Sequence, residues 1–204
     1  MESIPLLLQT VRASPELVNL SSLSGVRIQL KYAEADNFVG KNIYGEFKEA
    51  FLHRSAATAL QLAANTVTGR HPGYQLVIYD ALRPHRFQSE LWKIVKGTPD
   101  QDYVADPALG SIHAYGMAVD LSVLDTTGAP LDMGTPFDGF SPLSEPKHEE
   151  AHLKTGALSA QQYQNRLLLR DAMTNAGFLP IPNEWWHFNR FPSEVVRRTY
   201  RRID

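Results

Sequence analysis

A chain of 204 residues with 43% apolar and 21% charged side chains is long and apolar enough for one packed unit, and residues 1–204 read as a single domain. A formal net charge of −2 gives no general attraction to nucleic acid or to an anionic membrane, and the lack of cysteine excludes disulfides and thiolate-ligated metals. No stretch reaches the roughly 18 apolar residues of a membrane span, and the opening MESIPLLLQTV lacks the basic start and apolar length of a secretory signal, so a cytoplasmic protein is expected, or a periplasmic one if a signal has been removed.

The first periodic segment is 26–32, VRIQLKY, where Val26, Ile28, Leu30 and Tyr32 alternate with polar residues as in a half-buried strand. A turn-rich stretch follows. From Glu46 to about Val67 the spacing predicts a helix with Phe47, Ala50, Phe51, Ala57, Leu60, Ala64 and Val67 on one stripe and Gly69 past its end. Residues 74–82, YQLVIYDAL, read as a buried strand ending at Arg83-Pro84. Residues 85–96 read as a helix, and 117–125 as another strand. Residues 126–158 are rich in Gly, Pro, Ser and Thr, and a loop of that length inside a compact domain is usually functional. Ser159 opens a further helix with a capping box to Gln162, Gly177 closes it, and 177–191 reads as a hairpin turning near Pro180–Asn183. The basic end VVRRTYRR reads as a solvated terminal helix. Strands and helices mix without βαβ alternation. The expected fold is therefore α+β, a central, mostly antiparallel sheet flanked by helices.

Two short motifs carry chemistry. In SIHAYGMAVD, Gly116 permits a turn that folds His113 back beside Asp120 on the strand that follows. Asp120 lies in the otherwise apolar AVDLSVL, where a carboxylate needs a cation or several donors. The pair suits a metal ion; on its own it equally suits a turn-capping aspartate beside a surface histidine. In NEWWHF, Glu184 and His187 can reach one site from neighbouring directions, and Trp185 and Trp186 supply bulk that excludes water. His187 would then be a third ligand, with Glu184 off the metal as general base; two histidines, one aspartate and an open position describe a catalytic zinc site. Arg83, at the end of a buried strand and stiffened by Pro84, could stabilise an oxyanion, an effect worth about 3–4 kcal/mol. It could equally be a structural arginine paired with a carboxylate. HEEAH at 148–152 fits the zinc-protease spelling H-E-x-x-H, with His148 and His152 as ligands and Glu149 as base. Its surroundings are polar throughout, with Pro146 before it and Gly156 after it, so it reads as a decoy. His53, His71 and His85 read as surface residues.

YAEADNF, YDALRP, SIHAYGMAVDLSV, LDMGTPFD, NRLLLRDAMTNAGF and EWWHF, in this order, resemble the zinc D,D-peptidases of the VanX and VanY type, and the D-alanyl-D-alanine dipeptidase (VanX-like) branch in particular. The resemblance covers about residues 30–188. It implies one zinc per chain at the sheet, held by His113, Asp120 and His187, with Glu184 as catalytic base and Arg83 steadying the tetrahedral intermediate. It also implies Ser111 and Asp138 near the substrate's amino end, with Asp132 as an alternative in the same loop. The implied substrate is a small D,D-dipeptide, D-Ala-D-Ala. Leu82 departs from the aromatic residue expected before the arginine, which touches pocket shape rather than metal chemistry. A D,D-carboxypeptidase with the same site, or a non-catalytic zinc domain of the kind found in hedgehog proteins, are the rival readings; Glu184 and Arg83 together weigh against the second.

Overall fold

The computed structural model describes residues 3–204. Ser3 accepts a hydrogen bond from the Leu6 amide and Pro5 sits in the first turn, which starts α1 (Ile4–Ala13); the helix buries Leu7 and Val11. β1 (Leu17–Asn19) and β3 (Phe51–His53) form a small antiparallel sheet. β2 (Val26–Ile28) is shorter than its alternation suggests, because residues 31–33 turn into a 3-10 helix that still buries Tyr32. α2 (Arg54–Arg70) begins eight residues later than the apolar stripe predicts. The cause is tertiary: residues 51–53 pair with 17–19, and Phe47, Ala50 and Phe51 reach the core from extended and irregular backbone. His53 is half-buried rather than a surface residue, and its Nδ1 accepts the Ser55 amide as the cap of α2.

The main sheet has five strands in the order β2, β4 (Gln75–Asp80), β5 (Ala118–Leu124), β7 (His187–Asn189), β6 (Leu179–Pro180). Only β2 and β4 run parallel; the other neighbours are antiparallel, as expected for this α+β fold. Every residue of the central β5 is buried. Val119, Leu121 and Val123 join the core with Ala63 and Ala64 of α2 and with Leu169 and Met173 of α5 (Ala160–Asn175). Alternation then sends Asp120 and Ser122 to the opposite face. That face is bordered by α3 (His85–Val95), by the long 126–158 segment with its short α4 (Glu149–Thr155), and by α6 (Ser193–Thr199). The anticipated capping box at Ser159 and Gln162 is formed in both directions. Among the described residues no helix is long and apolar enough to cross a membrane.

Candidate active site

The register of the main sheet builds the site. Asp80 on β4, Asp120 on β5 and His187 on β7 stand directly opposite one another, a row of polar side chains across three adjacent strands. Directly opposed residues on antiparallel strands share a face with their Cβ atoms about 5 Å apart. His113 enters from a 3-10 turn (Ile112–Tyr115) closed by Gly116 in the left-handed conformation, φ 64°. A Cβ at Gly116 would lie 2.9 Å from the His53 amide nitrogen, so both the conformation and the space require glycine. The Arg83 amide donates to the His113 carbonyl at 3.2 Å, which ties the end of β4 to this turn.

Ligating atoms of His113, Asp120 and His187 all lie within 4.8 Å of one another, the only such trio of metal-binding side chains among the described residues. Their hydrogen bonds fix which atoms face inward. The Ala81 carbonyl can only accept, so His113 carries its proton on Nδ1, 2.7 Å away, and turns Nε2 inward. Asn189 Oδ1 takes the Nε2–H of His187 at 3.0 Å, which leaves Nδ1 facing Asp120 at 2.9 Å and His113 Nε2 at 3.1 Å. Two imidazole lone pairs and a carboxylate oxygen so close together repel unless a cation or a proton lies among them. The donor set of two nitrogens and one oxygen, each histidine held by an outer partner, fits zinc. Burial alone would raise the Asp120 carboxyl, but His113 and His187 hold it well below the usual range. For His187 burial acts downward, yet Asp120, Glu184 and Asn189 leave it raised, as a position standing in for a cation would be.

Glu184 Oε2 lies 3.9 Å from His187 Nδ1, beside the trio. Burial pushes its carboxyl up to about 7, with Asp120 adding to the rise and His187 and Arg83 opposing it. That range suits a general base near neutral pH. Arg83 is buried. Its Nε donates to Asp80 Oδ2 at 2.8 Å, its Nη1 to Gln88 Oε1 at 3.0 Å, and its Nη2 lies 3.5 Å from Asp120. The Tyr44 hydroxyl and the Ala81 amide complete the shell of Asp80, and Gln88 is held by the Ala105 carbonyl. Arg83 therefore pairs with a carboxylate, as the structural expectation has it, and also lines the cavity beside the trio.

Ser111 immediately precedes the His113 turn, without a side-chain capping hydrogen bond to it, and lines a cavity of about 240 Å³ together with Arg83, His113, Glu184 and His187. Asp138 lines a neighbouring groove of about 720 Å³ with Tyr79, Phe137 and Trp185, so the two residues expected at one end of a substrate border different spaces. Asp138 is the one non-glycine with positive φ, 56°, among the described residues, and its carboxylate accepts from the Tyr32 hydroxyl at 2.8 Å. Burial raises its carboxyl well above normal and Asp120 and Glu184 raise it further, while Tyr32 and Arg83 oppose. Asp132 instead faces α5, accepting from Gln162 and the Gly134 amide. HEEAH spans His148 and the start of α4 and lines neither space: buried Glu149 pairs with Arg166 at 3.2 Å and Arg170 at 2.7 Å, and His152 Nε2 meets the Pro142 carbonyl. Sequence reading missed Tyr32, Tyr44, Asp80, Gln88 and Asn189. Two of these had a readable signal: Asp80 is a second acid ending an apolar strand, and Asn189 stands two residues from His187 on the same strand face.

The D-Ala-D-Ala dipeptidase model of peptidase family M15 matches residues 14–203. The D-alanyl-D-alanine dipeptidase of Escherichia coli (strain K12) is 42% identical over 174 residues, covering 85% of this chain and 83% of the relative. The D-alanyl-D-alanine dipeptidase of Enterococcus faecium is 31% identical over 186 residues, covering 80% and 85%. The chain belongs to the D-Ala-D-Ala dipeptidase family of M15 peptidases.

Proposed function

We propose that this protein is a zinc-dependent dipeptidase that hydrolyses D-Ala-D-Ala to two molecules of D-alanine. One observation carries the reading: a two-histidine, one-aspartate trio with a raised glutamate beside it opens on a cavity of about 240 Å³, below the roughly 300–1,000 Å³ of ordinary ligand pockets. His113, Asp120 and His187 would hold one zinc ion, which when bound supplies Lewis acidity to the scissile carbonyl and acidifies water. Glu184 takes the proton of the attacking water and delivers it to the leaving amine nitrogen. Arg83, fixed by Asp80 and Gln88, turns its Nη2 toward the developing oxyanion. Asp138, which borders the adjoining groove but is near enough to Asp120, Arg83 and Glu184 to feel their charge, pairs with the substrate ammonium, and Ser111 offers its hydroxyl to the dipeptide from the wall of the small cavity. Tyr103 on the 99–103 turn stacks on Phe140 at 5.0 Å and donates to Glu145 at 3.0 Å. This contact joins the two loops that border the site and restricts its entrance.

A second reading, a D,D-carboxypeptidase acting on longer peptidoglycan precursors, is favoured by the 720 Å³ groove beyond Asp138. The test is hydrolysis by zinc-loaded protein of D-Ala-D-Ala, L-Ala-L-Ala and a pentapeptide ending in D-Ala-D-Ala. Cleavage of the D,D-dipeptide alone is expected. Efficient release of D-alanine from the pentapeptide would move the assignment to the carboxypeptidase, and no cleavage of any of the three would remove both.

A further inference from the structure

A dipeptide brings two charges into the site. The reading above gives its ammonium to Asp138 but leaves its carboxylate without a partner. Two cations line the small cavity, Arg83 and Arg197. Arg83 is already committed to Asp80, Gln88 and Asp120. Arg197 is placed differently. It projects from α6, which packs on the His113 turn, and its Nε and Nη2 both donate to the Gly110 carbonyl, at 3.1 and 2.9 Å. Gly110 immediately precedes Ser111, so the guanidinium is anchored by main chain at the wall of the cavity. An arginine has five N–H donors in a rigid fork, and this anchor occupies two. Asp102 and Glu184 line the same cavity, yet no carboxylate among the described residues is in ion-pair contact with Arg197. A planar donor fork, held in place and without an anionic partner, is the group that recognises carboxylates.

We infer that Arg197 binds the free carboxylate of the dipeptide and makes the enzyme selective for a substrate that ends one residue past the scissile bond. The inference rests on the dipeptidase reading. It accounts for selection at the carboxyl end as Asp138 does at the amino end. Arg197 touches the substrate but not the reacting atoms, so its loss should appear in KM rather than kcat.

The experiment compares D-Ala-D-Ala with D-Ala-D-alaninamide, whose carboxylate is replaced by a neutral amide, in the zinc-loaded wild-type, Arg197→Gln and Arg197→Lys proteins. A charge-assisted pair of this kind is worth roughly ten- to a hundred-fold in affinity. Arg197→Gln should lower kcat/KM for the dipeptide by about that factor through KM, and change the amide rate by less than about threefold. Arg197→Lys, which keeps the charge, should recover part of the loss. A merely structural tether of Gly110 would depress both substrates equally, with lysine no better than glutamine, and that result would overturn the inference. So would an unchanged dipeptide-to-amide ratio in Arg197→Gln. A wild-type protein that hydrolyses no dipeptide would overturn the dipeptidase reading and this inference together; the two failures are told apart by the wild-type rate alone.

Discussion

Glu184→Gln should stabilise the metal-free protein above neutral pH and leave it nearly unchanged in acid. The Glu184 carboxyl moves from 4.5 to about 7 in the folded chain, chiefly through burial. A carboxyl raised on folding favours the folded state while protonated. Its contribution is complete below about pH 4.5 and is lost as pH rises through 7, because the folded site then has to hold a buried charge that water would solvate better. Each pH unit is worth about 1.4 kcal/mol, so a move from 4.5 to about 7 amounts to roughly 3 kcal/mol, or about 2–3 kcal/mol given that the side chain keeps 11% exposure. Glutamine has the same shape and does not titrate. In urea unfolding of chelator-treated protein, the stability of Glu184→Gln minus that of wild type should grow by about 2–3 kcal/mol between pH 5 and pH 8.5. Zinc should shrink that difference, since a neighbouring cation favours the ionised carboxylate. A difference that stays flat with pH would refute the reasoning, and with it the claim that Glu184 is poised as a base near neutrality.

Three further outcomes follow from the same geometry. His113→Ala removes one of three ligands and should lose zinc on dialysis, whereas Glu184→Ala should keep a full complement and lose nearly all turnover; metal analysis beside a hydrolysis assay separates the two, and a zinc-replete His113→Ala would remove His113 from the ligand set. Asp138→Asn should raise KM for D-Ala-D-Ala by roughly ten- to a hundred-fold and shrink discrimination against N-acetyl-D-Ala-D-Ala; unchanged discrimination would take the ammonium away from Asp138. Asp80→Asn leaves the buried Arg83 without its 2.8 Å partner and should cost about 3–5 kcal/mol, seen as a lowered urea midpoint with depressed kcat; wild-type stability in that variant would show that Arg83 is held by other contacts.

The grouping of His113, Asp120 and His187 with Glu184 beside it was legible because its signals are local. SIHAYGMAVD and NEWWHF each combine ligand-type residues with a turn or strand that fixes their direction, and the antiparallel register of β5 and β7 brings them together. The outer partners were not legible, because their roles exist only in three dimensions. Gln88 matters by bridging Arg83 to the Ala105 carbonyl, and Tyr44 by donating to Asp80, 36 residues away. The sheet and most helices followed from periodicity, but the start of α2 did not. An apolar stripe does not distinguish a helix face from extended chain whose residues all reach one core, and at 51–53 pairing with β1 decides between them. α1, with its Ser3 cap and Pro5, had a readable start signal that its short apolar run obscured.

The arrangement of charge bears on which ligands the proposed site would admit. Asp80, Asp120, Asp138 and Glu184 bring four carboxyl groups to one face of the sheet, and the one buried cation set among them is Arg83. Asp80 is answered by Arg83, Tyr44 and a backbone amide, and Asp120 by the two histidines. The remaining imbalance appears at Asp138, Glu184 and His187, all three of which hold protons more tightly than usual. A proton at each is the cheapest way to keep such a face buried without a guest. On the proposed reading, zinc at the histidines and an ammonium at Asp138 would each replace a proton with a positive charge, so binding would release protons and should tighten as pH rises through neutrality. A dipeptide's carboxylate would find no place among four acids. On the proposed reading it would lie outward, toward the rim of the small cavity, which would orient a dipeptide with its amino end inward.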